Sequence, residues 1–226
     1  MRRWLYRMQY KYSRYGVENL MMYVTVTMLA VYLAEMLLQM PATEYLAFSR
    51  PLIFQGQVWR ILTFIFQPPA STPIFILFAL YMYYFFGGSL ENEWGTFSFN
   101  IYYVLGILGA IIGGFITGYT NNFYLNLSLM LAFAQLFPDM ELRIFFLIPV
   151  KIKYIGYATW IIYALALLFA LTHFDWSEAV AIIMALVNFF IFFGENFINR
   201  MRENVRYRGR RRQFKRDIRQ NPNNRW

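Results

Sequence analysis

The sequence predicts an all-α membrane protein: a bundle of six transmembrane helices with a long first exoplasmic loop. Three observations lead there. Of the 226 residues, 59% are hydrophobic and 21% aromatic, more apolar surface than a soluble domain of this length normally carries. The apolar residues also fall in runs close to the ~20 that a helix needs to cross about 30 Å of hydrocarbon. Finally, the 21 Lys and Arg residues gather at the two ends of the chain and in one internal loop, as they do on the cytoplasmic side of membrane proteins.

Composition also removes several chemistries. The chain has no cysteine, which excludes disulfides, thiolate metal sites and a cysteine nucleophile. Its single histidine, His173, cannot build a His-rich metal site within one chain. No cofactor and no metal is expected.

Residues 1–19 form a basic N-terminal segment. Within it Trp4, Met8, Tyr12 and Tyr15 recur at spacings of three or four with Arg and Lys between them, the pattern of a helix lying in the membrane interface. No cleavable leader pattern follows. That feature and the short loops suit a bacterial cytoplasmic membrane. The first span is expected over Leu20–Met40. Pro41–Thr72, semi-apolar but broken by Pro and charge, is the long exoplasmic loop. The second span is expected over Pro73–Gly88, with the acidic "LENEWG" capping it. The third, Phe99–Tyr119, contains "GILGAIIGGFITG", where Gly109 and Gly113, and Gly114 and Gly118, stand four apart. That spacing lets helix backbones approach closely, so this helix belongs near the bundle centre.

The fourth span, Tyr124–Phe137, is short: about 14 residues at 1.5 Å each reach roughly 21 Å, less than the hydrocarbon core. It must be surrounded by protein or sit in thinned bilayer. "PDMELRIFFLIPVKIK" is read as a cytoplasmic loop, followed by spans at Tyr154–Leu171 and Ala179–Phe197. With both termini cytoplasmic, 19 of the 21 basic residues lie inside and only Arg50 and Arg60 outside.

The tail Arg200–Trp226 is dense in Arg and poor in apolar residues, so it should be disordered. Anionic lipid or a cytoplasmic partner is its expected ligand, with nucleic acid the less favoured alternative. Polar residues inside the spans are few: Glu35, Asn100, Asn126, Gln135, Asn188 and Glu195. No chain of charges threads the bundle and no inverted repeat is visible, which argues against a proton-coupled transporter.

Three motifs carry a resemblance. "VWRILTFIF", with Trp59 and Arg60, resembles the first-loop motif of the rhomboid superfamily. "FGGSLENEWGTFSFNIYY", with Leu90, Glu91, Trp94 and Gly95, resembles the family's junction of spans two and three. "AFAQLFPDMELRIFFLIPVKIKYIG" resembles its fourth span and the loop after it. The resemblance covers about residues 20–198. It implies a rhomboid-like six-helix domain over 20–199, flanked by the basic segments 1–19 and 200–226.

Active rhomboids are intramembrane serine proteases. The family pattern needs a Gly-flanked Ser at the start of span four, a His on span six, and a His and an Asn on span two. Counted from the matching motifs, the span-two positions fall on Phe75 and Ala79 and the nucleophile position on Phe123. No His follows His173. A serine hydroxyl is a weak nucleophile until an imidazole takes its proton, so the resemblance implies a pseudoprotease of the derlin type. Such a protein would bind transmembrane segments of client proteins and perturb the surrounding bilayer. The alternative is an intramembrane serine protease with a displaced dyad, Ser128 and His173.

Overall fold

The computed structural model describes residues 16–69, 72–144 and 148–194. Most of the basic N-terminal segment, Glu195 and the tail from Arg200 lie outside the described residues.

The long helices are α1 (Leu20–Leu38), α5 (Pro73–Trp94), α6 (Thr96–Thr117), α8 (Ile152–Thr172) and α9 (Trp176–Gly194). All five are long and apolar enough to cross a membrane. A shorter apolar helix, α7 (Phe123–Leu136), has 14 residues. Large apolar side chains such as Leu37, Ile74 and Phe169 stand exposed on the outer faces. Water would not tolerate so much exposed hydrocarbon, whereas lipid does. The chain is therefore a multi-pass membrane protein.

Local chemistry sets the helix ends. Pro73 opens α5 after Thr72 in extended conformation, where its missing N–H costs nothing and its fixed φ fits the first turn. Gly95 separates α5 from α6 with φ +80°, a conformation that strains any side chain with a Cβ. Gly118 ends α6 in the left-handed conformation, its N–H on the Gly114 carbonyl at 2.7 Å. Asp175 caps α9 by accepting the Ser177 and Glu178 amides at 3.1 Å each.

Two differences from the sequence reading are visible here. α5 does not stop at Gly88 but runs on to Trp94, because Leu90, Glu91 and Trp94 turn inward and are buried. "LENEWG" is thus the last turns of a helix and its stop, not a cap. Two small antiparallel ribbons also interrupt the all-α pattern. β1 (Phe48–Ser49) pairs with β2 (Tyr119–Thr120), and β3 (Glu141–Ile144) pairs with β4 (Ile148–Lys151). The first loop is itself folded into short helices: α2 (Ala42–Leu46), α3 (Arg50–Phe54) and α4 (Arg60–Thr63), followed by a 3₁₀ turn at Phe64–Phe66.

The turns gather at two ends. At one, β1 of the first loop pairs with the α6–α7 turn, and Ser177 at the start of α9 bonds the Tyr119 carbonyl at 3.1 Å. At the other, the Asn19 amide bonds Glu91 at 2.9 Å and Asn100 bonds the Val17 carbonyl at 3.1 Å. There Trp94 packs on Tyr102, Phe192 and Phe193 at centroid separations of 5.3, 5.9 and 5.5 Å. This aromatic knot ties α5, α6 and α9 together. α7 is the most enclosed helix: ten of its 14 residues are buried, against α5, α6 and α8. Gly87 receives the side chain of Met21, bringing α1 onto α5.

Candidate functional site

Tyr102, Ser128 and Asn188 are buried polar groups that meet between α6, α7 and α9. Ser128, fully buried one turn into α7, donates to the Leu125 carbonyl at 2.7 Å. This is the usual way for a serine to satisfy itself inside a helix. Its Oγ and carbonyl both face the Tyr102 hydroxyl, at 3.1 and 3.0 Å. Asn188 on α9 donates to the Tyr102 carbonyl at 3.3 Å, while its Oδ1 is buried with no partner. Tyr163 on α8 donates to the Tyr124 carbonyl at 3.1 Å. These two sets of bonds tie α6, α8 and α9 to the start of α7.

Beside this network lies a void of ≈ 10 Å³, lined in part by Gly106, Thr120, Ser128 and Asn188. That is about the volume one water needs. Thr120, Asn121, Tyr124 and Ala181 also line a larger open recess of ≈ 300 Å³ at the first-loop end, with Tyr119, Phe123, Asp175, Ser177 and Glu178. The Tyr124 hydroxyl donates to Glu178 Oε1 at 2.5 Å.

His173 sits elsewhere in its contacts. It is exposed just past the end of α8, its ring stacked on Phe169 at 3.9 Å, with Nδ1 3.0 Å from the Phe169 carbonyl and 3.1 Å from Thr172 Oγ1. No hydrogen bond among the described residues joins it to Ser128. The Ser128 proton lies on a carbonyl, so the hydroxyl has no general base there. Neither the void nor the recess is lined by Phe75 or Ala79. Phe75 is half-exposed on α5, Ala79 is half-buried, and Phe123, also half-exposed, forms part of the recess wall.

The first-loop motif divides by role. Arg60 is 5% exposed and spends its fork on the Glu44 and Ala47 carbonyls at 2.6 and 2.8 Å and on Gln57 Oε1 at 2.6 Å. A buried charge is tolerable only when its donors are met in this way. Trp59 is half-exposed, with a long 3.4 Å contact from Nε1 to the Tyr45 carbonyl. Asn122 anchors the same loop to α7 by donating to the Ile65 and Gln67 carbonyls at 2.8 and 2.9 Å. Arg50 reaches the Phe115 carbonyl at the end of α6 at 2.9 Å.

The glycine stripe of α6 serves three purposes rather than one. A Cβ on Gly109 or Gly113 would meet Met184 or Val180 of α9 at 3.5 and 3.2 Å, so these two do face a helix. Gly114 instead receives the ring of Phe48 from the first loop, whose nearest atom is 2.6 Å from where a Cβ would stand. Gly118 is the helix terminator. The tightest helix approach on α6 is at Gly106, against Leu125 and Asn188.

Thr120, Tyr102 and Glu178 were not singled out by sequence reasoning. By sequence Thr120 and Glu178 fall in the short connections between spans, and a tyrosine inside an apolar run carries no signal of its own. Among the described residues no set of three His, Cys, Asp or Glu side chains comes together to hold a metal ion. No family model matches the chain, and no curated protein or solved structure is significantly similar to it.

Proposed function

We propose that this protein is a rhomboid-like membrane pseudoprotease that binds transmembrane segments of client proteins and perturbs the bilayer around it, without cleaving peptide bonds. The observation that carries this reading is α7. A 14-residue helix is too short for a bilayer by itself, and it is enclosed by longer helices whose outer faces are apolar. Lipid or a client helix that reaches α7 between them meets a length mismatch costing fractions of a kcal/mol per Å. A client helix that is itself poorly matched gains by lying there. The buried Arg60 and Trp94 support the motif resemblance, since each holds a junction of the bundle. Both termini facing the cytoplasm, with α7 as a sixth crossing, follows from the clustering of basic residues.

Among the described residues Ser128 donates to the Leu125 carbonyl and meets no base, which supports the non-hydrolytic half. Reconstitution with a panel of single-span clients tests the reading: some clients should co-purify and remain uncut. A fluorophosphonate label on the wild type that disappears in Ser128→Ala would overturn it in favour of the Ser128/His173 protease. Failure of every client to associate would remove the binding half.

A further inference from the structure

The open recess at the first-loop end has a donor and acceptor balance that selects its guest. Two carboxylates, Asp175 and Glu178, line it, and no basic residue among those lining it answers them. The ion pair seen among the described residues, Lys153 with Asp139 at 3.8 Å, is at the other end of the bundle. Tyr124 occupies Glu178 Oε1 and two backbone amides occupy Asp175 Oδ1. No hydrogen bond among the described residues reaches Glu178 Oε2 or Asp175 Oδ2.

Thr120 makes the second, independent observation. Its side chain is 3% exposed, its Oγ1 has no hydrogen-bond partner, and it lines both the recess and the void behind it. Deeper still, Asn188 Oδ1 is a second buried acceptor without a donor. Leaving a buried polar atom unpaired is costly, so a group that supplies donors is favoured here. The unmet atoms are acceptors or hydroxyl, and the guest must therefore bring N–H and positive charge. Tyr119 and Phe123, each nearly half exposed at the rim, offer ring faces that attract a cation. Among the described residues no group of three His, Cys, Asp or Glu side chains gathers here to hold a metal ion.

We propose that this recess binds a primary ammonium group, presented either by a phospholipid headgroup or by a soluble amine. A quaternary ammonium would satisfy the charge and the rings but could not donate to Thr120 or Glu178, so it binds more weakly. The site lies at the level where α6, α7 and α9 meet the first loop, and its apolar rim suits a headgroup whose chains lie along Phe123. This goes beyond client binding and stands independently of it.

Native mass spectrometry of the full chain released from nanodiscs of mixed phosphatidylethanolamine, phosphatidylcholine and phosphatidylglycerol tests the proposal. A lipid source predicts enrichment of phosphatidylethanolamine over the other two. A soluble source predicts instead that free ethanolamine raises the melting temperature in phosphatidylcholine nanodiscs, with no lipid enrichment. In either case Glu178→Gln, which keeps an acceptor for Tyr124, should weaken binding about tenfold, the loss of one hydrogen bond to a charged group. Thr120→Val should weaken it in the same direction, while Asp139→Asn at the far end leaves it unchanged. No enrichment together with no ethanolamine shift overturns the proposal. So does binding that survives both Glu178→Gln and Thr120→Val in folded protein.

Discussion

The hydroxyl of Ser128 and that of Tyr102 share one buried network, and their removal should show it. Ser128→Ala and Tyr102→Phe are each expected to lower stability by about 1 kcal/mol, the net worth of a buried neutral hydrogen bond. Because they touch at 3.1 Å, the double variant should lose less than the two losses added together. Thermal unfolding in detergent measures both; strict additivity would mean that the contact contributes nothing. Individual residues were legible in the sequence where their type is costly to bury. Arg60 beside Trp59 stood out for that reason. Asn188 stood out as a polar residue within a span, but its unmet Oδ1 and the Thr120 hydroxyl did not, because the lack of a partner depends on what other segments bring.

The first loop is an element held by long-range contacts more than by its own propensity. Arg60 joins the Glu44 and Ala47 carbonyls, Asn122 holds Ile65 and Gln67, and Phe48 fits where Gly114 leaves room. Arg60→Ala should leave two carbonyls unmet at a cost of about 2 kcal/mol or more. Limited proteolysis should then cut within residues 41–72 well before the helices. Arg60→Lys is not expected to restore resistance, since a single ammonium cannot span the same carbonyls and Gln57 at once. Gly114→Val should free the loop in the same assay by expelling Phe48. The long helices were readable from apolar run length alone. The ribbons at Phe48–Thr120 and Glu141–Lys151 and the extension of α5 to Trp94 were not. The first ribbon depends on a partner distant in sequence, the second is a local hairpin inside a stretch read as a loop, and the inward turn of Leu90 and Trp94 overrides the polarity of their neighbours.

For the molecule as a whole, the chain's lack of cysteine gives a clean test of its orientation. Gln55→Cys, exposed in the first loop, should react with a membrane-impermeant maleimide on intact cells. Asp139→Cys, exposed after α7, should react only after permeabilisation. Equal labelling of both would mean that α7 does not bring the chain across. The bundle architecture was largely legible because lipid imposes length and hydrophobicity on every crossing helix. The site was less so: Ser128 is a buried network member, His173 an exposed helix end, and the polar recess arises only where the α6–α7 and α8–α9 connections meet.

The proposed activity is binding without cleavage, and a single reconstitution separates the two. A single-span client carrying a fluorophore at each end would be incorporated with the protein into liposomes, and both association and client length followed over time. Energy transfer to the labelled protein with the client intact is the predicted result. Appearance of cleaved client in the wild type, abolished in Ser128→Ala, would contradict it.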